Sequence, residues 1–441
     1  MNYLLVSLLV LATGQPDQWP AFLGAGATPI PAESVPLHWS PTEQIAWQAN
    51  VPGHGQSSPV IYDGKVFVTS VEGPNKETFH TLCFDLNSGE ELWRRSVENS
   101  TPVPNSYYVS RAAPTPAVDQ GRVMVLFESG DCVAYDHAGD LLWQRAFSKD
   151  NGPLTAEFGL GASPCQTESK LFVLLEPEVD GVLLAIDKVT GKTVWQTPRK
   201  PRKSWSSPAV LKIGESTQVV VSSDGTVDGF DAETGDLLWT FDDIGGNTAT
   251  TPIDIGEGRF LVGASPGRNG EKSKFSPDSN GMLQVSLQGG KWTVQRKWAA
   301  TGATPSWASP IVHQGLAYWI NRAGVVYCFD VASGEKVYTE RSPQSAWATP
   351  VGIGDRIYLF GKEGLVTVLA AGREFKVLAE NETWNDETLP AEAPLSTEEP
   401  TEERRRAAAM FARPTLYGVA IADGKIVMRV GNALFCAEAT E

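Results

Sequence analysis

The sequence predicts an all-β protein, an eight-bladed β-propeller of four-stranded blades whose last blade is closed by the N-terminal strand. Three observations carry the prediction. A proline opens a β-type segment eight times, after a small residue at Pro59, Pro116, Pro164, Pro208, Pro252, Pro310 and Pro350 and after arginine at Pro414. A strand closes on tryptophan later in most of these units, at Trp93, Trp143, Trp195, Trp239 and Trp298. Between them lie short β-branched runs such as Lys65-Val66-Phe67-Val68-Thr69 and Gln218-Val219-Val220-Val221-Ser222, bounded by turn residues. Only the region around Arg404 to Met410 has helical character. Four strands in a unit of 40 to 50 residues is the pattern of a propeller blade.

Each unit runs Ser/Thr-Pro, an apolar run, a turn, a second apolar run, then Ala/Cys-x-Asp-x-x-x-Gly-x-x-x-Trp. The aspartates are Asp85, Asp187, Asp231 and Asp330, with a copy one residue shorter at Asp136 and tyrosine in the tryptophan place at Tyr338. The aspartate is expected to accept from backbone amides ahead of it, and the glycine to take positive φ, making a tight hairpin. The tryptophan then falls on the outer strand, where its ring can seal the joint with the neighbouring repeat. After Pro414 only three strands remain, and Gln44 to Ala49, with Trp47, is expected to supply the fourth and leave no open sheet edge.

Residues Ala185 to Trp195, Ala-Ile-Asp-Lys-Val-Thr-Gly-Lys-Thr-Val-Trp, resemble the tryptophan-docking repeat of the pyrroloquinoline-quinone-type, or quinoprotein dehydrogenase-like, eight-bladed propellers. The lead-in Gln18-Trp19-Pro20-Ala21-Phe22-Leu23-Gly24 is similar to that of a secreted bacterial branch named after the outer-membrane assembly factor BamB. The likeness covers roughly residues 45 to 437. It implies either a non-catalytic scaffold or a quinone-dependent dehydrogenase holding pyrroloquinoline quinone (PQQ) with calcium. The dehydrogenase would carry adjacent cysteines, a Glu/Asn/Asp calcium set and a catalytic aspartate. No Cys-Cys pair and no such segment occurs, so no cofactor and no metal are expected, and no catalytic residue is assigned. Neither Gly-x-Ser-x-Gly nor His-Glu-x-x-His is present for another enzyme class.

The domain plan is a signal peptide over 1–14, a lead-in over 15–43 and the propeller over 44–441, with an acidic inter-blade loop at 380–408. The apolar stretch Tyr3 to Leu11 precedes the small residues Ala12-Thr13-Gly14, as in a secretory signal, and is too short to span a bilayer. An exported monomer, periplasmic or extracellular, is expected. A net charge of −16 argues against a nucleic-acid partner. The partner expected is an unidentified protein or envelope component. Cys83, Cys328 and Cys436 sit two residues before the acidic position of their repeats and are expected to be small buried spacers on an inner strand. Residues 380–403 hold nine acidic side chains and no basic one, and a solvated loop is expected.

The loops entering the innermost strands share one face of a propeller. The residues three before each proline should therefore ring the channel: Gln56, Ala113, Gly161, Trp205, Ala249, Trp307, Trp347 and Phe411. The aromatic four could plug the channel or form a platform for a ligand. Arg111 and His54, on the same loops, complete the candidate site, Arg111 as a cation able to hold an anion.

Overall fold

In the computed structural model the described residues are 17–27, 31–152, 154, 156–177, 180–266, 273–392, 395 and 399–439. The expected signal peptide therefore lies outside the described residues. The chain forms eight antiparallel sheets, seven of four strands and the first of five. Ile45–Asn50 completes the last blade beside Ala433–Glu438, with Trp47 opposite Cys436 and Gln48 opposite Phe435. The circle is thus closed by pairing the two ends of the chain.

Two sets of contacts join the blades. At the outside, every outer strand carries a one-residue register shift just before its tryptophan position. Such a bulge re-aims the side chain that follows it. Most of these rings then lie over the Asp-x-x-x-Gly turn of the next blade: Trp47 over Gly89, Trp93 over Gly139, Trp143 over Gly191, Trp195 over Gly235 and Trp298 over Gly334. Their indole N–H groups donate to carbonyls of the same turns, for example Trp143 Nε1 to Lys188 O at 2.9 Å and Trp298 Nε1 to Val331 O at 2.9 Å. The turn itself is held by its aspartate: Asp85 Oδ1 accepts from the amides of Asn87 and Ser88, Asp231 Oδ1 from those of Glu233 and Thr234. Asp187 and Asp330 do the same for Thr190 and Ser333. Blade 5 has a long hairpin without this turn, so Trp239 instead donates to Gln218 Oε1 of its own blade, at 2.7 Å.

The cysteines explain themselves by register. Cys83, Cys328 and Cys436 face Trp93, Tyr338 and Trp47 across the strand pair, where bulk would displace the ring. All five cysteines are buried and unpaired. The strand concerned is the third from the channel, not an inner one as expected.

The second set of contacts encircles the channel and uses the residue before each proline. Ser58 N donates to Thr115 Oγ1, Thr115 N to Ser163 Oγ, and Ser163 N to Ser207 Oγ, at 2.8 to 2.9 Å. Ser207, Thr251 and Ser309 continue the series to Thr251, Ser309 and Thr349 at 3.0 to 3.2 Å. The hydroxyl satisfies the neighbour's amide, and the proline that follows has no amide of its own to satisfy. That is the physical content of the Ser/Thr-Pro repeat.

Pro414 breaks the register. Ala422 pairs with Lys425 across the Asp423-Gly424 turn as Tyr62 pairs with Lys65, which puts Val419 at the proline position and Gly418 at the serine position. A Cβ on Gly418 would come within 2.0 Å of Ser58 Oγ, so glycine lets the eighth blade close on the first. Pro414 lies five residues upstream of Val419, just after a helix that ends at Phe411.

The lead-in also has a place. Gln18–Trp19 adds a fifth strand to the channel edge of blade 1, and Val35 to Trp39 binds blade 7, with Asn381 Oδ1 accepting from Trp39 N at 3.0 Å.

The joints make a specific prediction. Trp195→Ala should lower unfolding free energy by about 3 kcal/mol. Gly235 has φ +78° and its Cβ would sit 2.6 Å from the Trp195 ring. Gly235→Ala should therefore be severely destabilising in the natural chain but cost much less in a Trp195→Ala background, where the left-handed penalty of about 1–2 kcal/mol and a contact with Thr197 Oγ1 at 2.9 Å remain. Denaturant titration of the four proteins of the cycle measures this coupling, and additive costs would contradict the docking.

Candidate functional site

The loops that enter the inner strands gather on one face, and the channel below them encloses a cavity of about 690 Å3. Its wall includes Gln56, Trp205, Trp307 and Trp347 near the mouth, hydroxyl-bearing residues such as Ser58 and Thr115 at mid-depth, and Trp19 and Phe22 of the lead-in. Seven of the eight expected ring positions line it. Phe411 does not, because the eighth blade's register places Leu416 where Phe411 was expected.

Phe411 instead ends a helix, Glu402–Phe411, that lies over the mouth. Thr401 caps this helix by accepting from Arg404 N, and Glu402 and Glu403 occupy its first turn, where the helix dipole favours acidic groups. From its end Phe411 bridges two groups of rings: Trp347 at 5.6 Å and Tyr108 at 5.7 Å. Trp347 lies 4.6 Å from Trp307, Tyr108 lies 5.2 Å from Phe158, and Phe158 lies 5.6 Å from Trp205. The candidates Trp205, Trp307, Trp347 and Phe411 thus belong to one aromatic arc. They are not equivalent. Trp205 is partly buried and donates Nε1 to Gly159 O at 3.1 Å, whereas Trp307 is 39% exposed. Arg322 lies over Trp307, Lys362 over Trp347 and Arg404 over Tyr108, at 5.1 to 6.0 Å from the ring centres. These cations stand beside π faces, in a chain that is acidic overall.

Arg111 and His54 are placed differently from the expectation. Arg111 is fully buried and stacks on Tyr107 at 5.3 Å, and the anion beside it comes from the chain itself. Glu392, within the acidic insertion, approaches Arg111 Nη1 at 3.4 Å and His54 Nδ1 at 2.6 Å. The insertion is therefore not wholly a solvated loop: Glu392 docks on His54, Leu395 N donates to Tyr107 Oη at 3.1 Å, and Glu399 accepts from Ser106. No local feature of the sequence marks this meeting of residues so far apart.

Burial, reinforced by Arg111, depresses the His54 pKa to about 4, although Glu392 opposes the shift. At neutral pH the ring is uncharged. Facing a carboxylate, which only accepts, it carries its proton on Nδ1 and leaves Nε2 to accept from Tyr417 Oη at 3.3 Å. Burial alone would raise the Glu392 pKa, but the His54 hydrogen bond and the charges of Arg111 and Arg429 outweigh it and hold the carboxyl below its usual range.

A calcium-held quinone would need several oxygen ligands converging on one point. Among the described residues no group of three or more His, Cys, Asp or Glu side chains is placed to hold a metal ion. Glu392 and Glu399, the insertion's carboxylates at the mouth, face His54 with Arg111 and Arg404 respectively. The donor set does not fit that group. No helix among the described residues is long and apolar enough to cross a membrane.

The family model described as outer membrane protein assembly factor BamB matches residues 37–164 and 153–374. The BamB protein of Yersinia pestis is 22% identical over 290 residues, and the match spans 65% of this chain and 64% of that protein's length. The crystal structure of BamB from Moraxella catarrhalis aligns with a TM-score of 0.58 at 12% identity, over 90% of this chain and 99% of that one. Quinohemoprotein alcohol dehydrogenase from Comamonas testosteroni aligns with the same TM-score at 11% identity, over 96% and 81%. The two structural likenesses concern the fold alone.

The His54 cluster predicts an acid response with a defined sign. An unfolded histidine binds its proton near pH 6.5, whereas the folded chain resists it until about pH 4. Stability tied to His54 is thus complete above pH 6.5 and is lost as pH falls toward 4, by about 3 kcal/mol in all. Urea unfolding at stepped pH should show this fall in the natural chain and a flatter profile in His54→Asn.

Proposed function

Because the chain belongs to the outer membrane protein assembly factor BamB family, we propose that it is a non-catalytic scaffold, exported and monomeric, that captures a protein or other envelope component at the mouth of its channel. The observation that carries this reading is the Trp307–Trp347 pair. Trp307 is 39% exposed beside its neighbour at 4.6 Å, on the rim of the channel and flanked by Arg322 and Lys362. Aromatic rings with adjoining cations are the residue types that dominate binding energy at interfaces. A side chain present only to plug the channel would be expected to bury its ring there.

The quinone-dependent oxidoreductase remains the alternative at the level of fold only. It lacks support from the donor set at the mouth, whereas a scaffold needs no such set. Export is supported by the apolar N-terminal sequence and by the family.

The reading is tested by Trp307→Ala/Trp347→Ala, with Trp205 left intact because its indole is bonded to Gly159. Affinity capture from envelope extracts of the source cell should recover a stoichiometric partner with the natural chain and lose it with the double variant, at an essentially unchanged melting temperature. A fall in melting temperature with capture intact would assign the two rings to channel packing instead.

A further inference from the structure

The insertion between blades 7 and 8 brings Glu392 to the buried guanidinium of Arg111, and the buried guanidinium of Arg429 lies near enough for its charge to act on the same carboxylate. Arg111, from the loop entering blade 2, and Arg429, from the second strand of blade 8, each have 0% exposure. Arg429 donates Nε to Gly55 O at 3.2 Å and Nη2 to Thr69 O at 3.3 Å. Among the described residues its Nη1 has no hydrogen-bond partner, and neither Nε nor Nη2 of Arg111 has one. Among the described residues Arg429 forms no ion pair, and Arg111 pairs with Glu392 alone. His54, uncharged at neutral pH, contributes nothing to the balance.

Two cations and one carboxylate leave a buried positive charge and three unsatisfied nitrogen donors. Each of these is costly in a fold unless a partner arrives. Glu392 is also the accessible member of the group. Its side chain is 32% exposed, and it lines a side cavity of about 460 Å3 together with His54, Asn105 and Asn432. The carboxylate can therefore be approached from outside, while the guanidiniums behind it cannot.

We propose that Arg111 and Arg429 form a carboxylate-binding site that Glu392 occupies in the chain on its own, and that an acidic ligand takes over by displacing Glu392. Guanidinium pairs recognise carboxylates through directed, charge-assisted hydrogen bonds, and the idle donors supply them here. The ligand is a carboxylate, carried either by an acidic peptide or by a free small acid. The inference refines the reading of the mouth as a binding face, yet its site is separate from the Trp307–Trp347 pair and can fail independently.

The test replaces the resident carboxylate. Glu392→Ala should melt below the natural chain in chloride and recover when acetate replaces chloride at equal ionic strength, while the natural chain gains little. Glu392→Gln, which keeps the side-chain volume, should bind a fluorescein-labelled hexaglutamate peptide about tenfold more tightly than the natural chain, because its competitor is gone. Recovery in acetate without a gain in peptide affinity assigns the site to a small acid. Recovery with that gain assigns it to a peptide. Equal melting shifts in acetate for Glu392→Ala and the natural chain, together with equal peptide affinities, would overturn the proposal. Loss of envelope capture in the tryptophan double variant with acetate recovery intact would leave the two sites distinct.

Discussion

The structure depends on the joint between successive blades. A four-stranded blade is too thin to bury both of its faces, so each must seal against its neighbours. At the rim an indole docks on the next blade's turn, and at the hub a hydroxyl accepts from the adjoining backbone amide. The two contacts sit at opposite ends of the same interface and fix both the spacing and the tilt of one blade against the next. Packing between them is apolar, as in the cluster that joins blades 4 and 5 through Trp239, Phe260 and Val262.

The hub contacts also determine what the mouth can be. Small hydroxyl-bearing residues at the channel wall leave it open, and the loops just before them are free to vary in residue type without disturbing closure. Three of these positions carry tryptophan. The insertion after blade 7 exploits the same freedom, bringing Phe411 between two groups of rings and Glu392 to the buried guanidinium of Arg111.

The fold was legible because its determinants repeat. Spacing of Ser/Thr-Pro, Asp-x-x-x-Gly and Trp gave blade number and order, and Trp47 identified the strand that completes the last blade. The eighth register was misread because Pro414 imitates the motif while Val419 and Gly418 replace it. Arg413 already departs from the Ser/Thr of the motif, and strand pairing puts Gly418 and Val419 in its place. The site was half legible. Trp205, Trp307 and Trp347 follow from periodicity, but the contact of Glu392 with Arg111 and His54 joins parts of the chain with no shared pattern. An acidic stretch also looks the same in sequence whether its carboxylates meet water or arginine.

Closing the last blade with Ile45–Asn50 imposes an order on assembly. This segment is synthesised far ahead of Ala433–Glu438, the strand it pairs with. At ordinary elongation speeds the interval is of the order of tens of seconds. Throughout it, this strand has no ladder to join, although the Gly89 turn that Trp47 covers is made soon after it. The nascent arc therefore has two unpaired margins until Ala433–Glu438 has been made, and any factor that shields unfinished sheets would act on this chain before its ring exists.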